Sequence, residues 1–241
     1  MFTHSRSRRV RIAAAAGAAL AALAVTAASS QATSTGGSPP DLRRTTPGNP
    51  VAAPLKAGAV YQASLFPLAL RVTARGGAWI GDQYRTTERG TSRFGWAQVA
   101  HPGVKGLITI VTAYGATSSV AATIARLRLG GSHDPDSNVG GTSFGDSSQI
   151  TIAGYTGRQY SGAVWGIYGH TFVPFTPQTH GTSPSDHWYI QKGERFQIMA
   201  LNVRGKTVVV FLESAELPAD QFDAFLTTAN QFLGTLRFPA G

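Results

Sequence analysis

The sequence contains no cysteine among its 241 residues. This absence excludes disulfide bonds, thiol catalysis, cysteine-ligated zinc and a lipid anchor on an N-terminal cysteine. A domain without disulfides depends on its hydrophobic core for stability, and this chain is long enough to build one such core.

Charged residues are also scarce, and no run of basic residues concentrates them. They make up 14% of the chain, with a formal net charge of +9. Arg6, Arg8, Arg9 and Arg11 belong to a predicted leader, which leaves 17 basic against 12 acidic side chains, a charge of about +5. Nucleic-acid binding normally requires a concentrated basic patch, so we predict no nucleic-acid partner. The balance fits weak attraction to an anionic cell wall or membrane surface.

The N-terminal region has the pattern of a signal peptide, which we assign to residues 1–28. The leader arginines precede the uncharged, alanine-rich segment Ile12–Ala28, and small residues at Val25–Ala27 and Ser30–Ala32 suit cleavage. Ser7–Arg9 resembles a twin-arginine signal, but Arg11 stands where that motif prefers an aromatic residue, which favours Sec export over Tat. An uncleaved signal would instead anchor the chain in the membrane.

Residues 29–58 are rich in Ser, Thr, Pro, Gly and Ala. Such a composition cannot bury a core, so we predict a disordered linker. A single domain is then expected over residues 59–241.

The C-terminal part of this domain has the clearest pattern. Thr207–Glu213 is a continuous, β-branched apolar run, which predicts a strand buried on both faces. Phe196–Val203 should pair with it antiparallel around Gly205. Pro218 then opens a predicted amphipathic helix. Its apolar face consists of Phe222, Phe225, Leu226, Ala229, Leu233 and Leu236.

Upstream, short apolar runs alternate with turn residues. A helix is predicted after Ser118. Trp79–Arg89 is expected to be a turn or a short helix. Two long loops are expected, at Gly130–Ser148 and Pro174–Ser185. The order implies an α+β fold, an antiparallel sheet with helices packed on it. The remaining predicted strands are Val60–Phe66, Leu68–Ala74, Arg93–Ala100, Leu107–Thr112, Gln149–Ala153, Arg158–Val164, Ile167–Phe172 and His187–Gln191.

This order resembles the PsbP-like fold. The resemblance covers about Tyr61–Phe238 and rests on the helix after Val111-Thr112, the segment Ile152–Tyr160 and the closing hairpin and helix that end in Leu236-Arg-Phe238. Exported and lipid-anchored actinobacterial proteins use this fold, although this chain lacks the anchoring cysteine. The resemblance implies a non-catalytic accessory or binding module, secreted or associated with the cell envelope, with an envelope component as its partner.

A secreted hydrolase is the alternative, because Gly141-Thr-Ser143-Phe-Gly145 matches the nucleophile-elbow pattern G-x-S-x-G. That chemistry needs a strand before Ser143 and a helix after it. A Gly-rich loop and a strand are predicted there instead. Asp186 and His187 follow in the order of a triad, but neighbours on a strand point to opposite faces.

The sequence predicts no metal and no cofactor. Asp134-Pro-Asp-Ser-Asn138 resembles the start of a calcium loop, but Val139 and Gly145 stand where that loop requires Gly and Glu. No two histidines have the i, i+4 spacing of a helical zinc site.

Aromatic residues cluster between the two long loops, and aromatic side chains with polar neighbours can stack sugars or line apolar pockets. Core packing is the alternative explanation, and Asp186 and Glu194 are the only acids there for an acid/base site. We predict a groove for a sugar or a small apolar ligand at Tyr160, Trp165, Tyr168, His170 and Trp188.

Overall fold

The computed structural model of the chain describes residues 37–44, 53–86, 89–97, 104–112, 119–129, 140–166, 170–172, 188–191, 193–214 and 217–240. The chain divides into two units, Met1–Gly37 and Ser38–Gly241. All the helices and strands of the described residues lie in the second unit. The described part of the chain is α+β, with a large and mostly antiparallel sheet and two helices.

Ten strands form the main sheet, and two further pairs stand apart from it. In chain order the strands are β1 (Arg43–Arg44), β2 (Ala53–Pro54), β3 (Val60–Ala63), β4 (Leu70–Thr73), β5 (Trp79–Thr86), β6 (Arg89–Ala97), β7 (Val104–Thr112), β8 (Gly140–Phe144), β9 (Ser148–Ile152), β10 (Tyr155–Gly166), β11 (His170–Phe172), β12 (Trp188–Ile190), β13 (Arg195–Val203) and β14 (Lys206–Glu213). The order in the main sheet is β1-β5-β6-β7-β14-β13-β10-β8, with β2 also on β5 and β9 also on β10. The two separate pairs are β3–β4 and β11–β12.

The strand β14 lies at the middle of the sheet, between β7 and β13. Successive side chains of a strand point to opposite faces, so an uninterrupted apolar run suits a strand that is covered on both sides. Val208, Val210 and Leu212 belong to one hydrophobic cluster, whereas Val209 and Phe211 belong to the other. The prediction of a strand buried on both faces is therefore confirmed.

The hairpin between β13 and β14 turns at two residues in the left-handed region. Arg204 has φ 54° and Gly205 has φ 77°, which is the pattern of the tight turns that match the twist of paired strands. Asn202 Oδ1 accepts a hydrogen bond from the Gly205 amide at 2.9 Å, so the turn has a side-chain brace.

Each face of the sheet is covered by one helix. Helix α1 (Val120–Leu129) buries Ile124 and Leu127 on the face that includes Phe211. Helix α2 (Ala219–Leu233) begins after Pro218, and its core residues lie on the opposite face with the β3–β4 pair. Those core residues are Phe222, Phe225, Ala229, Phe232 and Leu233.

Glycine at position 106 of β7 lets α2 approach the sheet closely. A Cβ atom on Gly106 would lie 2.4 Å from the ring of Phe225, a distance that real Cβ atoms do not tolerate. Phe225 is fully buried, so the ring occupies the space that the missing side chain leaves.

The segment Trp79–Arg89 is not a turn or a short helix, because Trp79–Thr86 forms β5. Trp79 is buried, and its ring centroid lies 4.5 Å from that of Phe232 on α2. Tertiary packing thus decides the conformation of a segment whose local pattern is ambiguous. The predicted loop Gly130–Ser148 likewise contains β8, because pairing with β10 compensates for the weak strand preference of glycine.

The predicted linker, residues 29–58, contributes to the core at its C-terminal end. Leu42 and Leu55 are 2% and 9% exposed and belong to the cluster that includes α2. A Cβ on Gly81 would lie 3.2–3.3 Å from their methyl groups, so the two leucines cover β5 where that strand carries no side chain. The two leucines, together with the pairing of β1 and β2 with β5, attach this part of the chain to the sheet.

Candidate functional site

A basic cleft of about 510 Å³ lies between β4, the end of α2 and the beginning of β10. This volume is within the usual range for small-molecule sites, about 300–1,000 Å³. We call it the arginine cleft. Its lining residues are Val60, Arg71, Val72, Thr73, Arg75, Tyr155, Gly234, Thr235, Arg237, Phe238 and Pro239.

The cleft is built where the chain after α2 runs antiparallel to β4. Arg71 and Arg237 exchange backbone hydrogen bonds of 2.8 and 2.9 Å. The Thr73 amide donates to Thr235 Oγ1 at 2.9 Å. Arg71 and Arg237 thus form an isolated antiparallel bridge, and together with the Thr73–Thr235 bond it fixes the positions of both sides of the cleft.

Two further side chains fix the last residues of this segment. The Phe238 amide donates to the Tyr155 hydroxyl at 3.2 Å, and the two rings meet edge to face with centroids 5.1 Å apart. Arg204 donates to the carbonyl oxygens of Phe238 and, at 2.8 Å, Pro239. The wall of the cleft is therefore held before any ligand binds.

The charge of the cleft is of one sign. None of the described residues that line it is acidic. Within the described part of the chain, the guanidinium groups of Arg71 and Arg75 have neither an ion pair nor a hydrogen bond. Arg237 donates to the carbonyl oxygens of Leu236 at 2.7 Å and Gly234 at 3.4 Å, both on its own segment. This arrangement can attract and bind an anion.

A second, shallower cleft of about 410 Å³ lies at the start of α1. Ser119 caps this helix, since its hydroxyl accepts from the Ala122 amide at 3.2 Å. Arg158 lines the cleft, but its guanidinium already donates to the Ser147 hydroxyl at 2.9 Å. The arginine cleft therefore has more free donors for a ligand.

The structure places two of the predicted groove residues on different faces of the sheet. Tyr160 is 1% exposed and Trp165 is 57% exposed. They are five residues apart on β10, so their side chains point to opposite faces of the sheet. His170 lies opposite Ile190 and Trp188 lies opposite Phe172 in the β11–β12 pair. The fifth residue, Tyr168, lies outside the described residues, and the groove stays a prediction.

Tyr160 belongs to the core on the α1 side of the sheet. Its ring contacts Phe144 and Phe196 edge to face, and the guanidinium of Arg128 lies 5.6 Å from its centroid. Burial raises the pKa of the Tyr160 hydroxyl well above its ordinary value of 10. That hydroxyl has no hydrogen-bond partner among the described residues. The Tyr160 side chain thus packs in the core, where no described cleft reaches it.

Ser143 does not have the geometry of a nucleophile elbow. It lies within β8, and its hydroxyl donates to the Ala163 carbonyl oxygen at 3.3 Å. The next element is β9 rather than a helix, so no helix N-terminus follows Ser143 to stabilise an oxyanion. The two residues proposed to complete a triad, Asp186 and His187, lie outside the described residues.

In the described ranges, no three acidic or histidine side chains come together in a way that could hold a metal ion. The calcium-like segment 134–138 lies outside those ranges. No helix in them is long and apolar enough to cross a membrane.

Sequence reasoning missed the arginine cleft, because its parts lie far apart along the chain. Thr73 and Thr235, which join its two sides, are separated by 162 residues. One local signal was present: Leu70 and Val72 alternate with Arg71 and Thr73, which places the polar pair on the outer face of a strand.

Comparison with known proteins gives only distant structural neighbours. No family model and no curated protein matches the chain. A protein of unknown function from Pseudomonas aeruginosa matches with a TM-score of 0.34 and 14% identity, over 67% of this chain and 98% of its own. CyanoP, the PsbP of Synechocystis sp. PCC 6803, gives 0.40 and 10%, over 81% and 98%. LpqN of Mycobacterium tuberculosis, which is involved in cell envelope biogenesis, gives 0.27 and 13%, over 84% and 90%.

The match to a PsbP agrees with the PsbP-like resemblance of the sequence. All three TM-scores are below 0.5, so they carry no argument about function.

Proposed function

We propose that this chain is an exported, non-catalytic accessory module of the cell envelope or the extracellular space. In this proposal the module binds its ligand in the arginine cleft. The observation that carries the proposal is the cleft itself: three arginines line it, its walls are fixed by hydrogen bonds, and none of the described residues that line it is a carboxylate or a histidine. The hydroxyl of Tyr155, which also lines it, accepts a hydrogen bond from the Phe238 amide and so belongs to the wall. A fixed site with strong donors is suited to binding rather than turnover.

Export is the second part of the proposal, and the basic and apolar N-terminal pattern supports it. The mature chain should begin between Ala28 and Thr33. Fractionation of the producing cells, followed by N-terminal sequencing, measures this. Recovery in the membrane with Met1 at the N-terminus would show an uncleaved anchor, and recovery in the cytoplasm would refute export.

The absence of catalysis can be tested on isolated envelope material. The purified chain and its Ser143→Ala variant are incubated with envelope polymers, and soluble products are measured. We expect no product above the blank from either protein. Product formed by the wild type and abolished in Ser143→Ala would instead support a secreted hydrolase.

A further inference from the structure

The geometry points to a phosphate group as the part of the ligand that the arginine cleft binds. This inference rests on the proposed binding function and names the chemistry that the same site would recognise. The phosphate would be attached to a carbon skeleton, because the cleft has an apolar side as well as a basic one.

Two positive charges lie directly opposite each other in the cleft. Arg71 and Arg237 form a cross-strand pair, and both line the cleft. Side chains of directly opposite residues lie on the same face, and like charges at such positions destabilise the pairing. Arg75 lies two residues beyond Thr73 and adds a third positive charge. An anion between these groups would remove the repulsion.

The number of positive charges and free N–H donors in the cleft matches a phosphate group. A guanidinium group has five N–H donors, and Arg71 and Arg75 use none of theirs within the described residues. A carboxylate carries one charge and two oxygens, whereas a phosphate monoester carries about two charges and three acceptor oxygens. Several forks around one cleft therefore match a phosphate better than a carboxylate.

The cleft also has an apolar side, which suits the carbon skeleton of a phosphate ester. Val60, Phe238 and Pro239 line the cleft beside the arginines. Val60 is 42% exposed, and it is one of the few large apolar side chains that are exposed in the described chain. Contact with the carbon skeleton of a phosphate ester would cover this surface, which free phosphate cannot do.

The test uses the purified full chain and glycerol 3-phosphate as the probe, titrated by calorimetry in phosphate-free buffer. We expect saturable binding that weakens with added salt. The double variant Arg71→Gln/Arg75→Gln should weaken binding of the probe by about tenfold or more, because the charged hydrogen bonds from both guanidinium groups to the phosphate are lost. The matched control is Arg43→Gln/Arg195→Gln, which removes the same charge at exposed arginines away from the cleft and should bind like the wild type.

A second pair of substitutions separates charge from geometry. Arg71→Lys/Arg75→Lys keeps both charges but removes the planar fork, so binding should fall between that of the wild type and the Gln variant. Urea unfolding of each variant shows that it is folded. Both positions are partly or fully exposed, so no variant should unfold at a lower urea concentration than the wild type; the Gln variant, which removes the charge opposite Arg237, should unfold at the same or a higher concentration.

A third arm identifies the source of the phosphate. Vesicles of phosphatidic acid, a lipid with a phosphate monoester, and of phosphatidylcholine are compared with the free probe. Binding of the free probe indicates a soluble phosphate ester, and binding only to the anionic vesicles indicates a lipid headgroup; both require the arginine pair. No binding to any phosphate probe, or equal loss in the cleft and control variants, overturns the inference. An exported chain that binds envelope material independently of Arg71 and Arg75 would leave the module function standing and refute the phosphate site.

Discussion

Replacement of Leu42 by alanine tests whether the segment before residue 58 is part of the folded domain. Leu42 is 2% exposed and packs with Leu55 over Gly81. Its backbone amide donates to the Gln62 carbonyl at 2.8 Å, and its carbonyl accepts from the buried Gln83 side chain at 2.8 Å. Alanine keeps both backbone bonds, so the substitution removes only side-chain packing.

The expected loss of stability follows from the burial of the side chain. Removal of a buried leucine side chain costs about 2–5 kcal/mol through lost transfer free energy and the cavity that remains. The glycine beneath Leu42 has no side chain that could move into the gap, so the cavity should persist. A loss of this size is a large part of a domain's stability, which is about 5–15 kcal/mol.

The assay is urea unfolding of the full chain, in which the wild type is compared with Leu42→Ala. Both curves are fitted with one slope of the unfolding free energy against urea concentration. The control is Arg43→Ala, the exposed neighbour on β1, which should change the unfolding free energy by about 0.5 kcal/mol or less. A Leu42→Ala effect below about 1 kcal/mol would mean that residues 38–58 do not depend on the core, and the linker prediction would then stand to residue 58.

Three further predictions concern packing and pH, each measured by urea unfolding. Gly106→Ala should destabilise the chain by about 1–3 kcal/mol, since its new methyl group overlaps the Phe225 ring; an unchanged midpoint would contradict the docking of α2. Phe225→Ala should cost about 3–5 kcal/mol, and an effect below about 1 kcal/mol would remove the ring from the core. Burial would raise the pKa of Asp41, but hydrogen bonds from the Ser64 hydroxyl and amide and from Gln83, with Arg44 nearby, lower it below the ordinary 3.8. The stability that the charged Asp41 carboxylate contributes is therefore fully present above pH 3.8 and is lost as the pH falls through the lower pKa of the folded state. Asp41→Asn should thus lose less stability than the wild type between neutral pH and pH ~3. Equal losses in the two proteins would contradict this.

Sequence patterns are most informative where burial alone determines conformation. The uninterrupted apolar run of β14 predicts a strand at the middle of a sheet, and the structure places it there. The glycine between β13 and β14 predicts the tight hairpin turn. The α+β class follows from these elements and the helices. Side-chain alternation is equally reliable: applied to β10, it places Tyr160 and Trp165 on opposite faces of the sheet, as the structure does.

Contacts between distant segments are what the sequence pattern does not reveal. Leu42 and Leu55 look like isolated apolar residues in a polar segment until β5 is known to lie beside them. Trp79 has no periodic pattern, because its burial depends on α2. The arginine cleft requires Arg71 and Arg237 to become neighbours across most of the domain, and no local pattern encodes that pairing.

The pairing at the two ends of the main sheet bears on aggregation. Long outer strands expose unpaired amides and carbonyls that can template pairing with another chain. Here the outer side of β5 is shared by β1 and β2, and the outer side of β10 is shared by β8 and β9. The covering strands are only two to five residues long. Each end of the sheet, as far as the structure describes it, therefore finishes in short, interrupted strands, which offer a second molecule no long ladder on which to add a β-strand.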